Sequence, residues 1–368
     1  MASYGTHFSF AVLAYWYSKI FGIKKHSNFI KLDSISQLSP NVCRILGQNP
    51  GPFTLQGTNT YLVGATEEKI LIDCGDSGVK QYIDYLKEAL GNDTIKLIVC
   101  THWHNDHIGG IPDIFKYVTN GPVPVYKREK IDLAEVSKIK FDYISPGNII
   151  TVPGVTLRCI ATPGHTSDHI SLYFEEENSL FSGDCILGES SSVFEDLCDY
   201  MHSLETLSKL NITRIYPGHG AVIEKGLEKI HEYITHRKNR EDEILKILGN
   251  EALTSTMQIT NLIYKITYIL QDIPWSVKLG AINNVNKHLM KLVKEKELNW
   301  SVLIAIAFLS YQTRHIAAEI IQLNEKNNDV DDDDDDDDDD NDGDDDDNDG
   351  DDDDDDKTIF LTIIKYFH

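Results

Sequence analysis

Hydrophobic positions along the chain follow one rhythm up to about residue 240 and another beyond it. In the first part, short apolar runs recur between turns rich in Gly, Pro, Asn and Asp. Ile95-Lys96-Leu97-Ile98-Val99-Cys100, Val155-Thr156-Leu157-Arg158-Cys159-Ile160 and Arg214-Ile215-Tyr216 are too short for helices and read as buried strands. Val79 to Leu90 and Glu195 to Leu210 instead carry apolar residues at helical spacing. Strands alternating with amphipathic helices predict an α/β fold with mixed sheets inside and helices outside. Leu227 to Leu248 reads as a helix leaving that core. Met257 to Leu270 and Ala281 to Leu298 keep a spacing of three to four, notably at Leu289, Leu292, Val293 and Leu298, which predicts an all-helical second region.

The chemistry gathers where the predicted strands end. Directly after the 95–100 run stands Thr101-His102-Trp103-His104-Asn105-Asp106-His107-Ile108-Gly109-Gly110. Imidazole and carboxylate are the ligands zinc prefers, and one short turn presenting three His and one Asp can serve two ions. So small a cluster cannot close two coordination shells, so further ligands are expected downstream. Three candidates follow strand-like segments: His165 in Thr162-Pro163-Gly164-His165, Asp184 in Phe181-Ser182-Gly183-Asp184, and His219 in Tyr216-Pro217-Gly218-His219-Gly220. Each sits beside Gly, which leaves room for close approach of the backbone. Any one of the fourteen histidines taken alone is by default a surface or hydrogen-bonded core residue. Seven ligand-type residues at strand ends are a different matter.

The order H-x-H-x-D-H, G-H, G-D, P-G-H resembles the metallo-β-lactamase superfamily over roughly residues 50 to 225. The resemblance implies an αββα sandwich with a binuclear metal site along one sheet edge. It places His102, His104 and His165 on one metal, Asp106, His107 and His219 on the other, and Asp184 between them as a bridge. Leu71-Ile72-Asp73-Cys74-Gly75 is similar to the family's first motif, whose aspartate, here Asp73, supports the site from behind the ligands. Within the superfamily, Asn49-Pro50-Gly51-Pro52-Phe53-Thr54-Leu55-Gln56-Gly57-Thr58-Asn59-Thr60-Tyr61-Leu62 and Thr162-Pro163-Gly164-His165-Thr166-Ser167-Asp168-His169 resemble the glyoxalase II group, and in it the β-lactamase-like protein two family. Thr235-His236-Arg237-Lys238-Asn239-Arg240-Glu241 and the helical region beyond fit the same family. Its animal members imply an endoribonuclease acting on single-stranded RNA in mitochondria. The stretch from Asp184 to His219 leaves no room for the large inserted domain of the β-CASP branch.

Two zinc ions per chain are the expected cofactor; the second position of the first motif is His104, where a Glu would point to the di-iron flavoproteins. Persulfide dioxygenases share the same string with one iron, so the motif does not close the metal's identity. Paired metals about 3.5–4 Å apart generate hydroxide from a shared water and polarise the scissile group, which makes the reaction a hydrolysis. Asp106 is the expected catalytic residue, ligating one ion and orienting that hydroxide. Asp168 and His169 are candidates to protonate a leaving group, with a structural hydrogen bond as the alternative role. The substrate stays open between single-stranded RNA and a small acyl thioester, the chemistry of the glyoxalase II group. An iron oxygenase acting on sulfur, or a metal-dependent scaffold, is the non-hydrolytic alternative.

Charge changes this picture little. The formal net charge is −25, but twenty-three Asp lie between residues 329 and 356, leaving −2 for the rest. Such a block repels itself and has nothing apolar to bury, so it is expected to be disordered. It lacks the spaced ligands and closing Glu of a calcium loop. Basic residues that could meet phosphate are Lys127, Arg128 and Lys130 in the middle of the chain, and Arg237, Lys238 and Arg240 after His219. Lys287, Lys291, Lys294 and Lys296 line a helix similar to the last one of the family's winged-helix-like C-terminal domain, with a solvated face as the alternative reading. Six cysteines with no C-x-x-C and no framework spacing imply a reducing compartment. Cys185 follows Asp184 but should point to the opposite face.

The organisation expected is an extension or leader over 1–40, the metallo-β-lactamase domain over 41–240, and a small winged-helix-like helical domain over 241–300. An uncertain segment over 301–328, the poly-Asp run over 329–356 and a tail over 357–368 follow. His7 to Ile23 is aromatic, and no acid precedes Asp33, as in a mitochondrial leader, although it lacks arginine. The same stretch suits an extra strand or helix. Its apolar core is too short for a confident membrane span, and no stable membrane insertion is expected. Mitochondrial matrix and cytoplasm both remain open as intracellular locations, and nothing in the sequence sets the oligomeric state.

Overall fold

The computed structural model describes residues 30–130, 139–250, 255–264, 275–299, 301–303 and 306. The poly-Asp run, the 357–368 tail and the first 29 residues lie outside them. Two sheets face each other. The first has seven strands in sequence order: β1 (Ile35–Ser39), β2 (Val42–Leu46), β3 (Asn59–Val63), β4 (Glu68–Ile72), β5 (Thr94–Val99), β6 (Val125–Lys127) and β7 (Asp142–Tyr143). The second has five: β8 (Ile149–Val152), β9 (Val155–Ala161), β10 (Ile170–Phe174), β11 (Ser179–Gly183) and β12 (Arg214–Pro217), in the order β12-β11-β10-β9-β8. β1 lies within the 1–40 stretch and pairs antiparallel with β2. Its Ser- and Gln-rich sequence gives only a faint apolar alternation, which is why the pattern does not announce it.

Period-two alternation explains why the strands are buried on both faces. Tyr61, Val63, Ile70, Ile72 and Val99 of the first sheet point inward and meet Leu157, Leu172, Phe174, Phe181 and Tyr216 of the second. Their sequence neighbours point outward. Leu62, Leu71 and Ile98 pack under α1 (Lys80–Leu90), α2 (Asn105–Ile108) and α3 (Ile111–Tyr117), through Tyr82, Leu86, Ile111 and Ile114. Tyr173, Leu180 and Ile215 pack under α4 (Leu197–Leu207) and the first half of α5 (Gly226–Asn250). The result is helix, sheet, sheet, helix. Cys185 sits in the outer layer with α4, on the side away from Asp184's carboxylate. All six cysteines are free thiols.

Beyond β12 the regular elements among the described residues are all helices. α5 runs on into a small core with α6 (Thr256–Tyr264) and α7 (Trp275–Lys294), built on Ile244, Ile259, Val285, Leu289 and Leu292. Among the described residues no helix is long and apolar enough to cross a membrane.

Topology gathers the strand ends that matter. β4 and β5 are parallel, as are β11 and β12, so each pair delivers two C-terminal ends to one rim. The start of β3, antiparallel to β4, reaches the same rim and joins the sheets where Asn59 N donates to Gly218 O at 2.7 Å. Ile170 N donates to Thr101 O at 2.8 Å, a second tie between the sheets beside the ligand-bearing loops.

Candidate metal centre

Every ligand candidate named from the sequence stands at that rim. His102 and His104 follow β5, and Asp106 and His107 lie in the single turn of α2. His165 follows β9, Asp184 follows β11 and His219 follows β12. Two sets of donor atoms form: His102, His104, His165 and Asp184 in one, Asp106, His107 and His219 in the other, each within 4.8 Å. In the first, His104 Nδ1 lies 2.9 Å from His102 Nε2 and 3.1 Å from His165 Nε2, and His165 Nε2 lies 3.6 Å from Asp184 Oδ2. In the second, Asp106 Oδ2 is 3.2 Å from His107 Nε2 and 3.3 Å from His219 Nε2. Asp184 Oδ1 closes that set, 3.4 Å from His107 Nε2 and 3.2 Å from His219 Nε2. The Asp184 carboxylate thus gives one oxygen to each set.

These spacings fit metal ions. Ligands about 2.0–2.1 Å from a tetrahedral ion stand about 3.3 Å from each other, the middle of the range observed here. Two of the atoms, His107 Nε2 and Asp184 Oδ1, are buried without any hydrogen-bond partner, an arrangement that is costly unless something else satisfies them. The charge balance points the same way. Burial, with His107 and His104 nearby, holds His102 well below the usual imidazole pKa, and burial with His165 lowers His104 to about 3. Neutral imidazole is the ligating form. Burial opposes a charge on His107 and His219 as well. Yet Asp106, Asp73 and Asp184 raise His107 well above its ordinary value, and Asp184 with Asp106 raises His219 to about 10. The second set therefore favours positive charge, which protons on these imidazoles or a bound cation in their place can supply.

The supports behind the ligands are equally specific. Asp73 takes a hydrogen bond from His107 Nδ1 at 2.8 Å and two more from Thr101, through N at 2.8 Å and Oγ1 at 2.9 Å. Thr58 Oγ1 donates to Asp106 Oδ2 at 2.9 Å, and Asn49 Oδ1 holds the Thr58 amide at 2.8 Å. His165 Nδ1 donates to Val193 O at 2.7 Å. Gly218 has no room for a side chain, since a Cβ there would stand 2.3 Å from Asp184 Oδ1. Gly164 has φ +126°, and its Cβ would stand 2.4 Å from the Tyr200 backbone.

Asp168 and His169 take the structural role. His169 Nε2 accepts from the Asp184 amide at 3.1 Å and its Nδ1 bonds Thr162 Oγ1 at 2.8 Å, so both nitrogens are engaged. Asp168 accepts from Thr166 Oγ1 at 2.8 Å and lies 3.4 Å from buried Lys127. Most of the basic residues considered for phosphate are likewise tied. Arg237 is buried, Arg128 donates to Ser167 O, Arg240 pairs with Glu243, Lys291 with Glu241 and Glu295, and Lys294 with Asp196. Apolar stems and buried partners, invisible in a charge count, decide these roles. Thr58, Asn49 and Val193 carry no role in the sequence reading. Thr58 and Asn49 lie inside the 49–62 signature, the one signal that could have found them; a backbone carbonyl such as that of Val193 has no sequence signal at all.

A two-sheet sandwich with seven such donors at one rim is the arrangement of the metallo-β-lactamase superfamily, generally hydrolases, and the chain belongs to it: the family model matches residues 53–219. It is 51% identical over 269 residues to a protein named Beta-lactamase-like protein 2 homolog from Caenorhabditis elegans, covering 72% of this chain and 88% of that one. A protein of the same name from Drosophila melanogaster is 41% identical over 292 residues, covering 76% and 97%. Among solved structures, a β-lactamase domain protein from Burkholderia ambifaria aligns with TM-score 0.62 at 18% identity, over 74% of this chain and 91% of that one. A metallo-β-lactamase family protein from Thermus thermophilus aligns with TM-score 0.55 at 21% identity, over 71% and 95%. These two likenesses carry the fold.

Proposed function

We propose that this protein is a binuclear zinc-dependent endoribonuclease that cleaves single-stranded RNA by hydrolysis of a phosphodiester. The observation that carries the hydrolase part is the Asp184 carboxylate, whose two oxygens face two separate sets of imidazole and carboxylate donors. His102, His104, His165 and Asp184 would hold one ion, and Asp106, His107, His219 and Asp184 the other. When bound, two zinc ions supply a water ionised near neutral pH and a clamp on the phosphoryl oxygens. The RNA part is supported by the family resemblance, and by the suitability of a paired site for in-line attack at phosphorus.

The chain's own residues do the positioning. Thr58 fixes Asp106 through Oδ2, which leaves Oδ1 to accept a hydrogen bond from the attacking water and aim its oxygen. Asp73 keeps the His107 proton on Nδ1, so that Nε2 faces the site. His169 holds the Asp184 amide, and with it the loop that carries the shared carboxylate. Water attacks phosphorus and gives up a proton to solvent, the P–O ester bond breaks, and the departing oxygen takes a proton from solvent.

The test is elemental analysis of purified protein together with parallel assays on a structureless RNA and on small acyl thioesters. Two zinc ions per chain and RNA cleavage abolished by a chelator and restored by zinc are expected, with rates that fall steeply as salt rises. Asp184→Ala should bind fewer than two ions and lose nearly all activity. Turnover of thioesters alone would replace the RNA reading with a thioesterase, and RNA cleavage that survives chelation would mark a contaminant.

A further inference from the structure

The segment Ser192–Asp196 enters α4 and grips His165 from two sides. Val193 O accepts a hydrogen bond from His165 Nδ1, while the amides of Glu195 and Asp196 donate to Gly164 O at 2.7 and 3.0 Å. Together these fix both the ring and the backbone that carries it, and they leave Nε2 facing the other ligands. The same segment reaches Asp184, because Ser192 Oγ donates to Asp184 O at 2.5 Å.

This strap is in turn held by cations from the C-terminal helices. Arg237, on α5, donates from Nη2 to Ser192 O at 3.1 Å. Its guanidinium lies 4.9 Å from the Phe194 ring centre and 6.0 Å from that of Tyr200, and the residue is only 2% exposed. From α7, Lys287 donates to Glu195 O and Lys294 pairs with the carboxylate of Asp196. Asp196 itself caps α4 by accepting from Asp199 N at 3.2 Å.

Stability alone is a poor reason for a buried arginine here. Contacts with two aromatic faces return less than it costs to desolvate the cation. Arg237 contacts a carbonyl rather than a carboxylate, and its Nε has no partner. Ile230, Tyr233 and Ile244 show that apolar residues fill the same buried stripe of α5. What the guanidinium adds is a directed hold on the strap.

We propose that Arg237 is a positioning residue for the metal ligand His165, acting through the strap Ser192–Asp196, with Lys287 and Lys294 as a second anchor. This rests on the reading that the site holds two ions and is independent of the substrate. It makes one ion depend on the helical region more than the other. Asp106 and His107, in α2, and His219, after β12, have no hydrogen bond or ion pair to the strap among the described residues and meet it only through the shared Asp184.

The experiment uses full-length protein loaded with zinc and titrated against a chelator, reading ions per chain and the affinity of each. Arg237→Met keeps the apolar stem and removes the donor. It should lose one ion first, with affinity for that ion lowered about tenfold or more and the other retained. The double variant Lys287→Met/Lys294→Met should weaken the same ion, while Lys238→Met, an exposed neighbour on α5, should behave as wild type. Folded Arg237→Met that binds both ions as tightly as wild type overturns the proposal. If that variant does not fold, the lysine pair decides, and unchanged affinities there overturn it equally. Wild-type protein that binds no ions at all fails the metal reading itself, a result distinct from either.

Discussion

Asp73 and His107 form a buried pair, 2.8 Å apart between Oδ2 and Nδ1, in which one carboxylate decides which nitrogen of a metal ligand faces the site. Both carboxylate oxygens are committed, since Thr101 donates to each. An asparagine cannot accept three such bonds, because its amide nitrogen would meet a donor.

Asp73→Asn should therefore lower metal affinity by about 10- to 100-fold and cost the metal-free protein about 1–3 kcal/mol. The backbone does not confound the test. Asp73 has φ +59°, a left-handed conformation that Asn tolerates as well as Asp. Chelator competition and denaturant unfolding of the same preparation read the two effects. Wild-type affinity in the variant would mean that His107 is oriented by something other than Asp73.

A second prediction isolates shape from charge. Gly218→Ala adds only a methyl group, yet that Cβ would stand 2.3 Å from Asp184 Oδ1. The bond from Asn59 N to Gly218 O involves backbone only and survives the change. The variant should fold, as read by circular dichroism, while Asp184 is pushed aside and metal content falls below two ions per chain. Activity should fall with it. Retention of two tightly held ions would show that the loop shifts freely enough to absorb a methyl, and the shared role of Asp184 would need another account.

The sequence already displays the ligands because each is a distinctive residue type at a strand end, in one order along the chain, and the three downstream ones stand beside a Gly. Two of the helices are equally plain: Val79 to Leu90 contains α1, which starts at Lys80, and Glu195 to Leu210 contains α4, which starts at Leu197 after the Asp196 cap. Two-residue β7 and three-residue β6 are set by pairing with their neighbours rather than by any local pattern. Arg237 shows a legible signal read wrongly. Ile230, Tyr233, Arg237, Glu241 and Ile244 recur at helical spacing and all are buried, so one face of α5 buries both charges. Counting Arg237 with its basic neighbours hides that periodicity.

The same stripe yields a pH prediction for the helical region. His288 on α7 is fully buried against Phe194, with Glu241, Arg237 and Arg240 as the charged groups around it. Burial lowers its pKa, the two arginines assist, and Glu241 opposes. Burial opposes ionisation of Glu241, but His288 and Lys291 hold its pKa below the usual value. Burial likewise opposes the charge on Lys291, which Glu295 and Glu241 nonetheless raise. Lowered values stabilise the fold above the unfolded pKa and lose that stability as pH falls through the folded one. A raised lysine does the reverse, losing its contribution only as pH climbs past its folded value. Docking of α7 should thus be firmest between about pH 7 and 10, weaken first below about 6.5 through His288, and weaken again below about 4 through Glu241. Amide hydrogen exchange along α7, corrected for intrinsic rates, reads this directly. His288→Leu should remove the limb that begins below about pH 6.5 while leaving the more acidic one. An unchanged limb in that variant would assign the acid sensitivity of this region to a group other than His288.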